Sequence, residues 1–270
     1  MNDSQTASEL NDLLDPVIEL SRDAGRRIVE IYENEFTVEH KDDKSPLTEA
    51  DMAAHNAISA GLGVLSAELP VLSEESAEIP FDQRRQWDRY WLVDPLDGTR
   101  EFIKRNGEFT VNIALIEGHQ AILGVVHVPV SGVTYFAARG HGAFRQDGDS
   151  VPVPIHVRRY EGGRVTVAGS RSHRGDSLNR FLSNLPDYEI ISMGSALKSC
   201  LVAEGKADIY PRLGPTSEWD TGAAQCIVEE AGGRVTDLEM RPLLYNTKES
   251  LLNPHFFAFG AGDTDWANYL

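Results

Sequence analysis

Tyr90-Trp91-Leu92-Val93-Asp94-Pro95-Leu96-Asp97-Gly98-Thr99 is the stretch from which both the architecture and its use can be approached. Four apolar residues in a row predict a buried strand, and two acids follow where the backbone is expected to turn. Pro95 fixes its own φ and biases Asp94 towards an extended conformation. Gly98 admits a bend that a residue with a Cβ resists. Two carboxylates three residues apart on such a turn can face one point in space. A hard divalent cation such as Mg²⁺ takes oxygen ligands of this kind, with the Leu96 carbonyl as a supplement. The same hexapeptide also fits a plain acidic strand-to-helix turn capped by Asp97 or Thr99.

Outward from this stretch, the sequence reads as mixed α/β. Upstream, residues 71–73 predict a short strand that delivers Glu74 and Glu75 at its end. A helix is expected from Thr48 towards Leu65, and another along Leu13, Val17, Ile18, Ala24, Ile28 and Ile31, with Asp15-Pro16 as its cap and first turn. Downstream, strands at 109–116, 121–128 and 133–138, punctuated by Gly118 and Ser131-Gly132, predict an antiparallel meander. The second half then alternates: strand 164–168, helix 177–185, strand 189–193, helix 195–204, strand 207–210, helix 220–231. Gly232-Gly233 stops the last helix, and strands at 234–236 and 256–259 follow. The polar Glu161-Gly162-Gly163 is the expected boundary between an N-terminal α+β part (1–160) and a C-terminal α/β part (161–270).

The 270 residues carry 25 Lys+Arg against 42 Asp+Glu, a formal net charge of −17. A field of that sign repels polyanions and draws divalent cations, which argues against a nucleic-acid polymer as main partner. The polar, acidic N-terminus lacks a signal-peptide pattern, and no apolar run approaches membrane-spanning length. Cys200 and Cys226, each among apolar neighbours, read as buried thiols, as a reducing cytoplasm allows. Nothing in the sequence specifies an oligomeric state.

Four acidic features sit at element ends: Asp51, Glu74-Glu75, the Asp94/Asp97 pair, and Asp220 after Trp219. Each has an ordinary reading. Thr48 and Asp51 form a capping box with Asp in place of Glu, Glu74-Glu75 a solvated loop, Asp220 a complement to a helix dipole. Together, Asp51, Glu74-Glu75, Asp94–Thr99 and Trp219-Asp220-Thr221-Gly222-Ala223 resemble, in order and spacing, the lithium-sensitive, magnesium-dependent phosphomonoesterases of the inositol monophosphatase superfamily. Gly194-Ser195-Ala196-Leu197-Lys198, Leu201–Gly205, Tyr210–Thr216 and Glu249–Pro254 are similar to its CysQ-type 3′(2′),5′-bisphosphate nucleotidases, over nearly the whole chain. Gly222 is a small departure, since that type more often has Ala there.

The resemblance implies an αβαβα sandwich with the site between its halves. It implies two or three Mg²⁺ ions held by Glu74, Asp94, Asp97, Asp220 and the Leu96 carbonyl. Thr99 with Glu74 would orient and deprotonate the attacking water, with Asp51 supporting Thr99 as proton acceptor, and attack would be in line. The same residues, with Gly98, would surround the cleaved phosphate. In the second half, Ser170 and His173 lie at an expected strand end, Ser195 is expected to open a helix, Lys198 to share its face, and Arg212 offers a planar fork. The resemblance puts a second, uncleaved phosphate near Gly194, Ser195 and Lys198, with His173 and Arg212 close by. Taken singly, Ser195 is also an ordinary helix cap and Lys198 a solvated lysine. The implied substrate is adenosine 3′,5′-bisphosphate, cleaved to AMP and phosphate in support of sulfate assimilation, in the cytoplasm or peripherally at the inner membrane. The alternatives are a phosphatase of inositol monophosphates or other sugar and polyol phosphates, whose members commonly carry an acid near the Arg212 position, and a non-catalytic binding role.

Overall fold

The computed structural model of the chain describes residues 3–34, 38–40, 46–170 and 175–270. Helix α1 (Asp3–Tyr32) starts well before the expected cap and carries Pro16 inside it. Leu10, Leu14, Val17 and Ile18 form one buried stripe across the proline. Their packing holds the helix through the hydrogen bond that the missing N–H removes. A small ladder, β1 (Val38–His40) with β2 (Pro46–Thr48), leads into α2 (Glu49–Leu65). Thr48 caps α2 as expected: its backbone N–H and its hydroxyl donate to Asp51 Oδ2 at 2.7 and 2.6 Å.

A seven-stranded sheet follows, with α3 (Phe81–Arg84) and α4 (Thr99–Ile103) on its connections. Its strands are β3 (Val71–Ser73), β4 (Arg89–Asp97), β5 (Thr110–Glu117), β6 (Gln120–Val128), β7 (Val133–Ala138), β8 (Gly142–Asp147) and β9 (Val153–Ile155), adjacent in chain order. The expected meander is its centre; β8 and β9 extend it. A five-stranded sheet takes the rest: β10 (Val165–Ser170), β11 (Tyr188–Met193), β12 (Ile209–Arg212), β13 (Arg234–Asp237) and β14 (Phe256–Phe259), ordered β11-β10-β12-β14-β13. Helices α5 (Asp176–Asn184), α6 (Leu197–Ala203) and α7 (Glu218–Glu230) connect them.

Alternation along the strands stacks these elements. On β4, Trp91 and Val93 point to the side of Val17, Ile28 and Ile58 on α1 and α2, while Tyr90 and Leu92 join Ala223 and Ile227 of α7. In the second sheet, Ala168, Tyr210 and Phe256 face that same middle layer, and Val167, Ile209 and Phe257 face Leu178, Phe181 and Leu182 of α5. The order is therefore αβαβα. Each buried Leu, Ile or Phe contributes roughly 1.5–3 kcal/mol to these interfaces. Gly222 lies against Leu92 and Ala114, so its lack of a side chain lets α7 close on the first sheet. Cys200 and Cys226 are buried free thiols in the middle layer. No helix among the described residues is long and apolar enough to cross a membrane.

Candidate active site

Parallel pairing of β3 with β4 brings both C-terminal ends to one edge of the first sheet. Glu74 opens a 3-10 turn (Glu74–Ser76) directly after β3. Beside it, β4 does not stop at Val93, as the sequence suggests, but continues to Asp97. Asp94 pairs with Asn112 and Asp97 with Thr110, so three steps on β4 oppose two on β5. This extra residue is a bulge. Acids three apart on a regular strand would point to opposite faces; the bulge turns both to the same side. Pro95 needs no ladder partner for its nitrogen, which suits it to the irregular segment. Asn112 Nδ2 donates to Asp97 Oδ2 at 3.4 Å, and the Leu96 N–H donates to Asp94 Oδ1 at 3.1 Å.

The third acid comes from the other side of the interface. Asp220 sits in the first turn of α7, where its Oδ2 accepts the Ser217 N–H at 2.9 Å. Carboxylate oxygens of Asp94, Asp97 and Asp220 lie within 4.8 Å of one another. Burial, with Glu74, Asp97 and Asp220 close by, pushes Asp94 well above the ordinary carboxylate range. Asp97 and Asp220 are raised by the same burial, Asp97 against the counter-pull of the Lys198 charge. Hard oxygen donors of like charge, held this close, fit a divalent cation of the magnesium type.

Gly98 takes φ +95°, open to glycine, and turns the chain into α4. Thr99 follows, its hydroxyl 3.4 Å from Asp51 Oδ1 and 3.5 Å from the Leu96 carbonyl oxygen. Asp51 thus serves two contacts: one oxygen caps α2 and the other faces Thr99. These groups line or adjoin a cleft of about 770 Å³ whose wall includes Leu178, Pro211, Leu213, Trp219 and Leu252.

A side chamber of about 160 Å³ shares Asp97, Gly98, Ser170, Arg212 and Asp220 with the cleft, and ends on Ser195, Lys198 and Ser199. Ser195 does not open α6, as its position in the sequence suggests. It precedes the Ala196 cap with φ +41°, and its hydroxyl accepts no cap bond. The cause lies next door. Gly194 is wedged on the loop after α4, its N–H donating to Glu108 Oε2 at 2.9 Å, and a Cβ there would meet the Glu108 carbonyl oxygen at 2.5 Å. Ser195 Oγ and Arg212 Nε are buried without a hydrogen-bond partner. Lys198 is 6% exposed, so it is not a solvated lysine; its Nζ donates to the Ser195 carbonyl oxygen at 2.5 Å and sits 5.4 Å from the Tyr210 ring centre. Burial lowers it to about 8, against the pull of Asp97. His173 lies outside the described residues.

Some lining residues were not singled out from the sequence. Glu101, inside α4, borders both cavities. Acids at element ends were the signal followed, and Glu101 is not at one. Tyr210 and Ser199 also border the side chamber, from buried positions.

The profile of the inositol monophosphatase family matches residues 9–261. The chain belongs to the inositol monophosphatase family. Within that family it is 49% identical over 246 residues to the 3′(2′),5′-bisphosphate nucleotidase CysQ of Salmonella typhimurium, covering 90% of this chain and 98% of that protein. The protein of the same name from Escherichia coli K12 is 48% identical over the same shares. The crystal structure of CysQ from Bacteroides thetaiotaomicron superposes with a TM-score of 0.79 at 40% identity, covering 92% of this chain and 97% of that one.

Proposed function

We propose that this inositol monophosphatase family member is a magnesium-dependent phosphomonoesterase that hydrolyses adenosine 3′,5′-bisphosphate to AMP and phosphate. The observation that carries the reading is the side chamber: a buried lysine, an unpartnered serine hydroxyl and an unpartnered arginine Nε open onto the acidic cluster. A substrate with one phosphate leaves Lys198 only the acids of the cluster, which the cations would claim, as counter-charge. A second phosphate fills the chamber, restores a full charge partner to Lys198 and accepts from Ser195 and Arg212. The apolar wall of the large cleft then faces the nucleoside.

Asp94, Asp97, Asp220 and Glu74, with the Leu96 carbonyl, would hold the cations. Bound there, the cations screen the doubly charged ester and acidify water for attack. The chain's own part is positional. Asn112 and the Leu96 N–H fix the carboxylates. Thr99 stands over the Leu96 carbonyl with Asp51 behind it, so a proton passed to the threonine side has an acceptor within one further contact. The same reading includes sensitivity to lithium, and a cytoplasmic role in clearing the nucleotide by-product of sulfate assimilation.

The test is phosphate release with Mg²⁺ from adenosine 3′,5′-bisphosphate and from inositol 1-phosphate at matched low concentrations. A preference for the nucleotide of about 100-fold or more is expected, from two or more charge-assisted bonds to the second phosphate. A preference for inositol 1-phosphate would overturn the substrate assignment and leave the acidic cluster as it stands.

A further inference from the structure

Asp220 owes its orientation to the turn that opens α7, and that turn is gripped from outside by one side chain. Asn253 lies on the strap that returns past the cleft before β14. Its Nδ2 donates to the Ser217 carbonyl oxygen at 2.7 Å, to Thr221 Oγ1 at 3.0 Å and to Thr216 Oγ1 at 3.2 Å. Its backbone N–H donates to the Thr216 carbonyl oxygen at 2.8 Å. The preceding residues complete the grip: Leu252 bridges to Ser217, and the Leu251 carbonyl accepts the Glu218 N–H at 2.9 Å. The residues held, 216, 217, 218 and 221, bracket Asp220 on both sides.

These bonds join in series through one residue, Ser217, whose carbonyl and N–H lie in successive peptides. The Asn253 amide fixes the Ser217 carbonyl, and the Ser217 N–H fixes Asp220 Oδ2. One carboxylate oxygen is thereby committed, which sets where the other points within the acidic cluster. The two amide hydrogens serve these three acceptors, one hydrogen being shared; a threonine or serine at 253 offers a single hydroxyl hydrogen and an alanine none. Removing the amide releases the Ser217 carbonyl and Thr221 Oγ1, leaving only the Asn253 backbone N–H on Thr216 to hold the peptide that bonds Asp220, while the core beneath α7 stays packed.

We propose that Asn253 is a positioning residue for the metal-binding carboxylate of Asp220, acting through Ser217. This rests on the metal reading of the acidic cluster. The test is Mg²⁺ binding by titration calorimetry on the full chain, with phosphate release and the melting midpoint in EDTA measured alongside. For Asn253→Ala, Mg²⁺ affinity should fall about 10-fold or more, the usual effect of losing a partner behind a metal ligand. Turnover should recover at high Mg²⁺, and the EDTA midpoint should change little. Asp220→Asn serves as reference. If it loses Mg²⁺ affinity while Asn253→Ala keeps it, the positioning role is refuted. If both keep it, the metal reading of Asp220 is refuted instead. Should Asn253→Ala fail to fold, Thr221→Val removes one acceptor of the same amide, and an affinity loss of about threefold is expected, being part of the same effect. Unchanged affinity in that variant counts against the proposal equally.

Discussion

The large cleft is floored by Asp94, Asp97 and Asp220, and the side chamber next to it is walled by Ser195, Lys198 and Arg212. Both bury ionisable groups, and the mutual pull of Asp97 and Lys198 does not offset that burial. The three carboxyls are held above their ordinary range and the lysine below its own. Each cavity is therefore a half-complete electrostatic arrangement, one asking for cations and the other for an anion. Folding energy alone does not favour such groups. A ligand that brings divalent metal to one cavity and phosphate to the other relieves both at once. On the proposed function, the difference between the cavities separates two jobs: the acids would serve the bond being broken, and the lysine side the choice of molecule.

The largest effect is expected at the acids. Asp94→Asn keeps the size of the side chain and removes the most deeply buried charge of the cluster. Activity should fall by more than about 100-fold, since even partners one step behind a metal ligand cost 10–100-fold. Steady-state phosphate release on the folded variant checks this; near-normal turnover would remove Asp94 from the cation site.

A smaller effect sharpens the comparison through pH. Raised carboxyls mean that the metal-free fold holds protons that the unfolded chain has already released. Stability of the EDTA-treated protein should therefore fall as pH rises above the ordinary carboxylate range. Lys198 works in the other direction, but its lowered value places that contribution above about 8. Mg²⁺ should then raise the melting midpoint more at about pH 8 than at about pH 5, because it binds the deprotonated acids. Equal shifts at both pH values, by differential scanning fluorimetry, would contradict the picture of a charge-frustrated cluster.

How much of this could be read from the chain varies by residue. The Thr48–Asp51 cap, the strand at 71–73 and the alternation of strands and helices after residue 164 are local patterns, and they fold as read. The geometry of the acids is not local. Asp94 and Asp97 share a side only because β4 gains one residue against β5, and a bulge exists only in a pair of strands. Ser195 is displaced from the helix cap because Gly194 is pinned on Glu108, more than eighty positions away. Pro16 looks like a helix start until Leu10 is seen to continue the buried stripe upstream. Asn253 stands in an irregular strap, where no periodicity marks it, and its partners are found only once α7 has docked.

On the proposed function, the two cavities divide the work between chemistry and choice of substrate. The most direct measurement compares wild type with Lys198→Ala on two substrates, adenosine 3′,5′-bisphosphate and adenosine 3′-monophosphate, at saturating Mg²⁺. Losing one buried charge-assisted contact costs about 1.5–3 kcal/mol, so kcat/KM for the bisphosphate should drop about 10- to 100-fold. The monophosphate should be almost unaffected. An equal loss on both would place Lys198 in the general electrostatics of the acidic cluster, and the division between the cavities would fall.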